Sequence, residues 1–305
     1  MPTKDEINQE IIGAKRRARA SQDTVRRNYL KELSDYAERD VIVYASAFLS
    51  KNVPNQARGA LSIVPQDIEG FMSSLHGLQG DKLDLILHSP GGALEAAEQI
   101  VNYLRNKYNY IRAIIPQNAM SAATMIACAC DEILMGKHSA IGPIDPQINM
   151  GNFVAPAQSI LDEFNEAKEE VQKNPKTAPL WVKKIENYPP GFLRTCQHSI
   201  DLSRDKVAEW LNSYMFKGED MEEKCNEIAN WLGDTEEHKT HGRPICFDEA
   251  KDHGLKVTAL EEDQELQEKV LSIHHSTMIT LENTACIKLV ENHNGKGDFT
   301  IIENN

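Results

Sequence analysis

The sequence lacks the features that mark membrane proteins and disulfide-bonded secreted proteins. It contains no apolar run of about 18 residues, the length that a membrane-spanning helix needs, and its first residues are polar, so that no secretory signal is visible. Its six cysteines, at positions 128, 130, 196, 225, 246 and 286, form no Cys-x-x-Cys pair. In a chain of 305 residues this usage predicts reduced thiols and a cytoplasmic protein, and the lack of a long apolar run predicts no membrane partner.

Basic residues are scarce relative to acidic ones. Lys and Arg number 33 against 46 Asp and Glu, so the formal net charge is −13. Because nucleic acid binding requires a basic surface, the composition argues against nucleic acid as a partner. One basic cluster, Lys15-Arg16-Arg17 with Arg19, falls in a single long helix predicted over residues 4–39. We interpret this cluster as a solvated helix face or a contact with an acidic neighbour.

Clustered metal ligands are also missing. Cys128 and Cys130 are two positions apart in a predicted helix, and such positions do not share a helix face. His274 and His275 have no cysteine or grouped carboxylates near them in the sequence. The sequence therefore predicts neither a metal site nor a cofactor.

A repeated strand–turn–helix pattern is present between residues 83 and 147. Apolar runs at 83–87, 111–115 and 132–135 have the length of buried strands. A helical pattern of apolar residues follows each of the first two runs. This alternation predicts an α/β fold with a parallel sheet.

Two turns in this stretch carry candidate catalytic groups. The Ser-Pro-Gly-Gly turn at residues 89–92 contains Gly91 and Gly92, which lack a Cβ and can direct backbone N–H groups into an oxyanion hole. The next turn places Ser121 at a strand-to-helix junction, where Ala122 offers a second N–H at the helix start. Because the turns belong to successive βα units of one predicted sheet, we expect them to meet at the strand ends.

Motifs in a fixed order resemble the ClpP/crotonase superfamily: Ser-Pro-Gly-Gly at 89–92, Asn-Ala-Met-Ser-Ala-Ala-Thr at 118–124, and Gly-Pro-Ile-Asp-Pro at 142–146. Within it, the sequence is most similar to the serine dehydrogenase proteinase family, relatives of ClpP and of signal peptide peptidase A. The resemblance covers residues 40–148 and resumes over residues 241–257. It implies a superhelix of β-β-α units and a serine peptidase that acts on a peptide or protein substrate.

The resemblance also implies a catalytic triad. The family carries Ser, Asp and His in that chain order, which Ser121, Asp145 and His241 reproduce. A serine hydroxyl is a poor nucleophile unless a base takes its proton, and a histidine oriented by a carboxylate is the usual base. Asp145 stands near the position where ClpP itself keeps its histidine, so the roles would be permuted.

Other residues compete with His241 for the role of base. His138 lies 17 residues past Ser121, and His238 lies three residues before His241. Lys137 would be the base under a Ser-Lys dyad, as in signal peptide peptidase A. His88 precedes the Ser-Pro-Gly-Gly turn directly, and we expect its side chain to point to the other face of its strand.

The chain divides into three predicted parts. Residues 1–39 form an N-terminal helical extension, residues 40–260 a catalytic domain, and residues 261–305 a C-terminal helix and β-hairpin that lie outside the resemblance. Within the catalytic domain, residues 148–240 predict an inserted helical subdomain, either an oligomer contact or gate, or helices that only pack. Because the superfamily forms trimers, hexamers or larger rings, we expect a homo-oligomer, and regulation by a partner protein stays open.

Two other functions are compatible with the same motifs. A crotonase-like enzyme would use the oxyanion hole for the thioester of an acyl-CoA and would need no serine nucleophile. A non-catalytic assembly module would keep the fold without the chemistry, and a fold alone does not decide among these activities.

Overall fold

The computed structural model describes residues 4–15, 21–151 and 153–302, and within those ranges the chain forms twelve α-helices and twelve strands. The helices are α1 (Lys4–Lys15), α2 (Ser21–Ala37), α3 (Asp67–Leu75), α4 (Leu94–Arg105), α5 (Ala122–Cys128), α6 (Ala157–Lys173), α7 (Ala178–Ile185), α8 (Phe192–Trp210), α9 (Glu222–Leu232), α10 (Thr235–His238), α11 (Phe247–Asp252) and α12 (Gln264–Asn283). The strands are β1 (Asp40–Ser46), β2 (Lys82–His88), β3 (Tyr110–Ile115), β4 (Asn118–Ala119), β5 (Glu132–Met135), β6 (Ala140–Ile141), β7 (Gln147–Asn149), β8 (Val154–Pro156), β9 (Ile245–Cys246), β10 (Val257–Ala259), β11 (Cys286–Asn292) and β12 (Gly297–Ile301).

A seven-stranded sheet forms the centre of the molecule, in the order β10-β5-β3-β2-β1-β11-β12. The first five strands run parallel, and β11 and β12 continue the sheet in antiparallel pairing. The parallel α/β core expected from the strand–helix alternation is confirmed. A smaller sheet of β4, β6 and β9 and the pair β7–β8 lie apart from it.

Alternation along each strand divides the core into two layers. In β2, Leu83, Leu85 and Leu87 belong to the core on one face, where α3, α4 and α5 pack, whereas Ile86 belongs to the core on the other face with α2 and α12. Neighbouring side chains of a strand point to opposite faces, and both faces are covered here. Each such leucine, fully buried, contributes about 1.5–3 kcal/mol to folding.

The N-terminal segment contains two helices that pack on each other, so the single long helix predicted over residues 4–39 is wrong. Ile7 and Ile11 of α1 and Val25 of α2 form an apolar cluster with Ile279 of α12. This contact brings together the apolar stripes of α1 and α2. In one continuous helix the two stripes would lie one after the other along the axis and could not touch. The side chains of the basic cluster that starts at Lys15 lie outside the described residues.

The C-terminal hairpin completes the sheet. Strand β11 pairs with β1 and is buried along its length, with β12 outside it. A buried ion pair ties this hairpin to α2, because Arg26 Nε donates to Glu291 Oε2 at 2.7 Å and both side chains are inaccessible. The sequence predicted both strands but not their place beside β1.

The helical region predicted between residues 148 and 240 contains α6 to α10. Helices α8 and α9 bury Val207, Trp210 and Ile228 in the main core, whereas α6 packs with the first half of α8 in a cluster of its own. In the part of the chain that the structure describes, no helix combines the length and apolarity needed to cross a bilayer.

Candidate active site

The six residues predicted for the site line one cavity. It has a volume of about 350 Å³ and lies beside the turns that follow the parallel strands. These residues are Gly91, Gly92, Ser121, Ala122, Asp145 and His241. They come from four separate segments of the sequence, and the ends of the strands bring those segments together.

Ser121 has a strained backbone. Its φ of 54° and ψ of −122° are outside the regions that non-glycine residues normally occupy, and α5 begins at the next residue. Such a conformation costs on the order of 1–3 kcal/mol and persists only where the surroundings impose it. Hydrogen bonds do so here, since Met120 N–H donates to Ser89 O at 2.9 Å and Met125 N–H donates to Ser121 O at 3.1 Å. The α/β-hydrolases expose their nucleophile on a strained strand-to-helix turn of this kind.

Gly91 lies directly against the serine. A Cβ added to Gly91 would stand 2.6 Å from Ser121 Cβ and 2.5 Å from Met120 O, and the φ of Gly91 is +91°. No side chain fits between the two turns, so glycine is required at this position. The N–H of Gly91 donates to Ser89 Oγ at 3.2 Å.

Gly92 is held by a neighbouring extended segment. Ile63 N–H donates to Gly91 O at 2.7 Å, and Ala93 N–H donates to Ile63 O at 3.0 Å. A Cβ on Gly92 would stand 2.2 Å from Ile63 O. In such a parallel bridge the residues before and after Gly92 make the hydrogen bonds to Ile63. The N–H of Gly92 therefore faces away from Ile63.

His241 and Asp145 form a hydrogen-bonded pair. His241 Nδ1 lies 2.7 Å from Asp145 Oδ1, although the two residues are 96 positions apart. The carboxylate is an acceptor, so Nδ1 carries the proton and Nε2 is the basic nitrogen of the neutral ring. Gln147 Nε2 donates to the second oxygen, Asp145 Oδ2, at 2.6 Å. The carboxylate is 5% exposed and the imidazole 28% exposed, so the ring alone reaches solvent.

A buried threonine connects the serine helix to the segment that carries Asp145. Thr124 Oγ1 accepts the N–H of Gly142 at 2.9 Å and lies 2.8 Å from Ala119 O. Thr124 is in the first turn of α5, and Gly142 is three residues before Asp145. The distance between Ser121 and Asp145 therefore depends on this side chain.

The helical insertion holds the Asp145 segment from the other side. Ser203 Oγ on α8 donates to Ile144 O at 2.8 Å, and Ile144 N–H donates to Leu232 O at the end of α9 at 2.9 Å. His241 itself follows α10. The insertion thus positions both members of the His–Asp pair.

The three rivals of His241 do not line the cavity of Ser121. His138 Nε2 lies 3.0 Å from Pro116 O, and the ring lines a different cavity. His238 is 3% exposed, with Nε2 2.8 Å from Trp231 O. Lys137 has an exposed side chain, and its backbone N–H donates to Glu261.

His88 lies on the opposite face of the sheet, as the sequence predicted. Its ring contacts Phe48 at a centroid distance of 4.8 Å and His274 at 5.2 Å. Among the described residues neither ring nitrogen has a hydrogen-bond partner. Burial lowers the pKa of His88 to about 4.

Sequence reasoning missed the residues that support the site. Gln147 begins β7 two positions past Asp145, and the closeness of the two residues in the sequence was the one available signal. Thr124 belongs to the Asn-Ala-Met-Ser-Ala-Ala-Thr motif. Ser203 carries no local signal, because only the packing of α8 brings it to Ile144. No three of the His, Cys, Asp and Glu side chains in the described ranges are grouped as metal ligands would be.

Distant neighbours among the solved structures include two mutants of one protease. One is a serine-to-alanine mutant of the 1510-N membrane-bound stomatin-specific protease, 15% identical, with a TM-score of 0.39 over 68% of this chain and 79% of that chain. The other is a lysine-to-alanine mutant of the same protease in complex with a substrate peptide, 17% identical, with a TM-score of 0.40 over 68% and 75%.

Two curated relatives are uncharacterized proteins of Methanocaldococcus jannaschii. The first is 33% identical over 196 residues, which is 64% of this chain and 60% of the relative. The second is 34% identical over 175 residues, which is 57% of this chain and 51% of the relative. The chain therefore spans between half and three fifths of the length of these relatives.

A family model described as ClpP-like SDH-type serine proteinase matches residues 66–280, more than half of the chain. The match includes the whole helical insertion and residues 261–280, so the expectation that the chain leaves the family at residue 261 is wrong. Strands β1, β11 and β12 lie outside the match. On this evidence the chain belongs to the family of ClpP-like SDH-type serine proteinases.

Proposed function

We propose that the chain hydrolyses peptide bonds with Ser121 as nucleophile, His241 as general base and Asp145 as the carboxylate that orients the histidine. The observation that carries this proposal is the 2.7 Å contact between His241 Nδ1 and Asp145 Oδ1 at the cavity that also holds Ser121. Serine proteases of unrelated folds share this set of roles, a serine nucleophile, a histidine base and a carboxylate that orients the histidine.

The first step forms an ester. Ser121 Oγ attacks the carbonyl carbon of the scissile bond while His241 Nε2 takes the hydroxyl proton. Asp145 accepts the hydrogen bond from Nδ1 and stabilises the imidazolium that forms. The tetrahedral intermediate then expels the amine, which receives the proton from Nε2. Water repeats the sequence on the ester, releases the acid and restores Ser121.

Two backbone groups are suited to the negative oxygen of the intermediate. Gly92 N–H faces away from its neighbouring segment, and Ala122 is the first residue of α5, where an N–H has no partner within the helix. One donor of this kind is worth about 3 kcal/mol in the transition state. Gly91 N–H already donates to Ser89 Oγ, so Gly92 is the better of the two glycines.

Fluorophosphonate labelling tests the proposal, because the reagent modifies only an activated serine. We expect labelling at Ser121, mapped by mass spectrometry, and its complete loss in Ser121→Ala. Ser199→Ala is the matched control, since Ser199 lines the same cavity with its hydroxyl donated to Thr195 O at 3.0 Å. Labelling that persists in Ser121→Ala but disappears in Ser199→Ala would contradict the assignment.

The absence of labelling between about pH 6 and 9 would redirect attention to the other functions. Binding of a CoA ester, measured by calorimetry, would then favour the acyl-CoA enzyme, and no binding would favour the assembly module. The homo-oligomer, the regulatory partner protein and the cytoplasmic location stay predictions.

A further inference from the structure

A chain of buried polar side chains lies behind the Gly91–Gly92 turn and takes no part in the proposed reaction. Its members come from β1, the start of α3, the end of β2 and β11, and each is at most 7% exposed. They are Tyr44, Asp67, Ser89 and Lys288. Buried polar groups of this kind are costly unless every one is paired, so their arrangement calls for an explanation.

Lys288 is the charged end of this chain. Its Nζ lies 2.5 Å from Asp67 Oδ1 and donates to Ser62 O at 3.0 Å. The lysine side chain is 3% exposed and that of Asp67 6%. Removing one partner would leave the other charge buried without compensation, which is strongly destabilising.

Asp67 connects the lysine to both sides of the turn. Its Oδ2 accepts from Tyr44 OH at 2.7 Å and from Val64 N–H at 3.0 Å. Ser89 is a further polar neighbour of the Tyr44 hydroxyl, and its Oγ accepts the N–H of Gly91. Burial, and then the Asp67 carboxylate, raises the pKa of Tyr44 well above its ordinary value, so the phenol stays a donor.

The segment at residues 62–64 is therefore held at both ends. Lys288 binds the carbonyl of Ser62, and Asp67 binds the N–H of Val64. The residue between them, Ile63, makes the two backbone hydrogen bonds that bracket Gly92. A shift of this segment would move Gly92, because the residues before and after Gly92 are both hydrogen-bonded to Ile63.

We propose that Lys288 is a positioning residue which, through Asp67 and the segment at residues 62–64, holds the Gly92 N–H in the direction needed to bind the oxyanion. This role rests on the proposed function, in which Gly92 supplies one of the two donors. It assigns a catalytic purpose to the C-terminal hairpin, since Lys288 lies in β11 beyond the family match.

The kinetics of fluorophosphonate inactivation test this role, because they separate reagent binding (KI) from the chemical step (kinact). The variant is Lys288→Met with Asp67→Asn, which removes both charges together. We expect kinact to fall about tenfold to hundredfold, the range for a misplaced oxyanion donor, while KI changes less than about twofold. If Lys288 and Asp67 had a purely structural role, the variant would have a lower melting temperature but no selective loss of kinact relative to KI.

Lys51→Met is the matched control. Lys51 Nζ also donates to backbone carbonyls, those of Leu281, Thr284 and Cys286. These carbonyls are at and just after the end of α12, and Lys51 does not line the Ser121 cavity. We expect it to lower the melting temperature and to leave kinact unchanged. If the double variant does not unfold cooperatively, Tyr44→Phe replaces it, with an expected fall in kinact of about threefold to tenfold.

The outcomes separate the two proposals. Wild-type protein that is not labelled at Ser121 overturns the proposed function and this role with it. Wild-type protein that is labelled, with the same kinact in the folded double variant or in Tyr44→Phe, overturns the role of Lys288 alone. A loss of kinact in Lys51→Met equal to that of the double variant would also overturn it, since the effect would then follow stability.

Discussion

His241 and His88 have contrasting surroundings. His88 is adjacent in sequence to the Ser-Pro-Gly-Gly turn, yet its ring is 1% exposed on the opposite face of the sheet, between Phe48 and His274. His241 is 120 positions after Ser121, yet it lines the same cavity and is paired with Asp145. Proximity in sequence is therefore a poor guide to which histidine can act as a base.

The two rings differ in their hydrogen-bond partners and in their exposure to solvent. His241 has a carboxylate partner, since its Nδ1 lies 2.7 Å from Asp145 Oδ1, and its ring is partly open to solvent. His88 has no carboxylate in hydrogen-bond contact among the described residues, and burial holds its pKa at about 4. At pH 7 it is a neutral ring that fills space.

The largest expected effect distinguishes these histidines directly. His241→Ala removes the base, and we expect the rate of fluorophosphonate labelling at Ser121 to fall about 10⁴–10⁶-fold. His88→Leu fills a similar volume in a buried position and leaves the pair at the cavity intact, so labelling should stay within about threefold of wild type. Equal losses in both variants would show that stability, not base catalysis, controls the rate.

The next effect tests the partner of His241. Asp145→Asn keeps the shape of the side chain but offers an amide to Nδ1, which favours the wrong tautomer of the ring. We expect a loss of about 10³–10⁴-fold in labelling rate, measured beside Asp162→Asn, an exposed carboxylate on α6, as control. A labelling rate within tenfold of wild type would remove Asp145 from the mechanism.

The buried histidine has an expected effect on stability instead. Its pKa of about 4 lies below the ordinary 6.5, so between these values the unfolded chain binds more protons than the native protein. The contribution of His88 to the free energy of unfolding is thus fully present above about pH 6.5. As the pH drops to about 4, the free energy of unfolding falls by about 3 kcal/mol. His88→Leu should flatten this part of the pH profile in thermal unfolding.

The control for this profile is His76→Ala, because His76 is exposed at the end of α3. It should leave the slope of stability against pH unchanged. Burial lowers the pKa of His274 as well, so part of the slope should survive in His88→Leu. A slope in His88→Leu that equals that of the wild type would assign the whole effect to other groups.

The smallest expected effect concerns the support of Asp145. Gln147→Ala removes the hydrogen bond to Asp145 Oδ2, and we expect a loss of about threefold to tenfold in labelling rate. Gln158→Ala is the control, since Gln158 makes the same kind of contact with Asp162 at the surface. A loss above about 10³-fold would mean that Gln147 contacts the reacting atoms itself.

Much of the fold was predictable from local pattern. The apolar run at 132–135 is β5 with the same bounds, and the helical pattern at 94–104 is α4 to within one residue. These elements are buried on one side or both, so their apolar spacing is strong. The packing of α1 against α2 was not predictable, because the apolar residues of both helices fit one helical stripe.

The candidate site was predictable in part. Ser121, Gly91 and Gly92 occur in compact motifs, because a strained turn and a close backbone approach restrict the residue types over a few positions. His241 followed only from the order of residues in the family. Lys288 and Ser203 were missed because each meets its partner through side chains that are distant in sequence.

The sequence by itself determined the family, the parallel α/β core and the small residues that let the two turns approach each other. These properties depend on local conformation and on spacing within one βα unit. The tertiary structure alone decided which histidine meets Asp145, which face His88 occupies and which strand supplies the lysine behind Gly92. Those outcomes depend on contacts between residues roughly a hundred positions apart or more. The packing of whole layers of helices and strands sets such contacts, and local conformational preference does not.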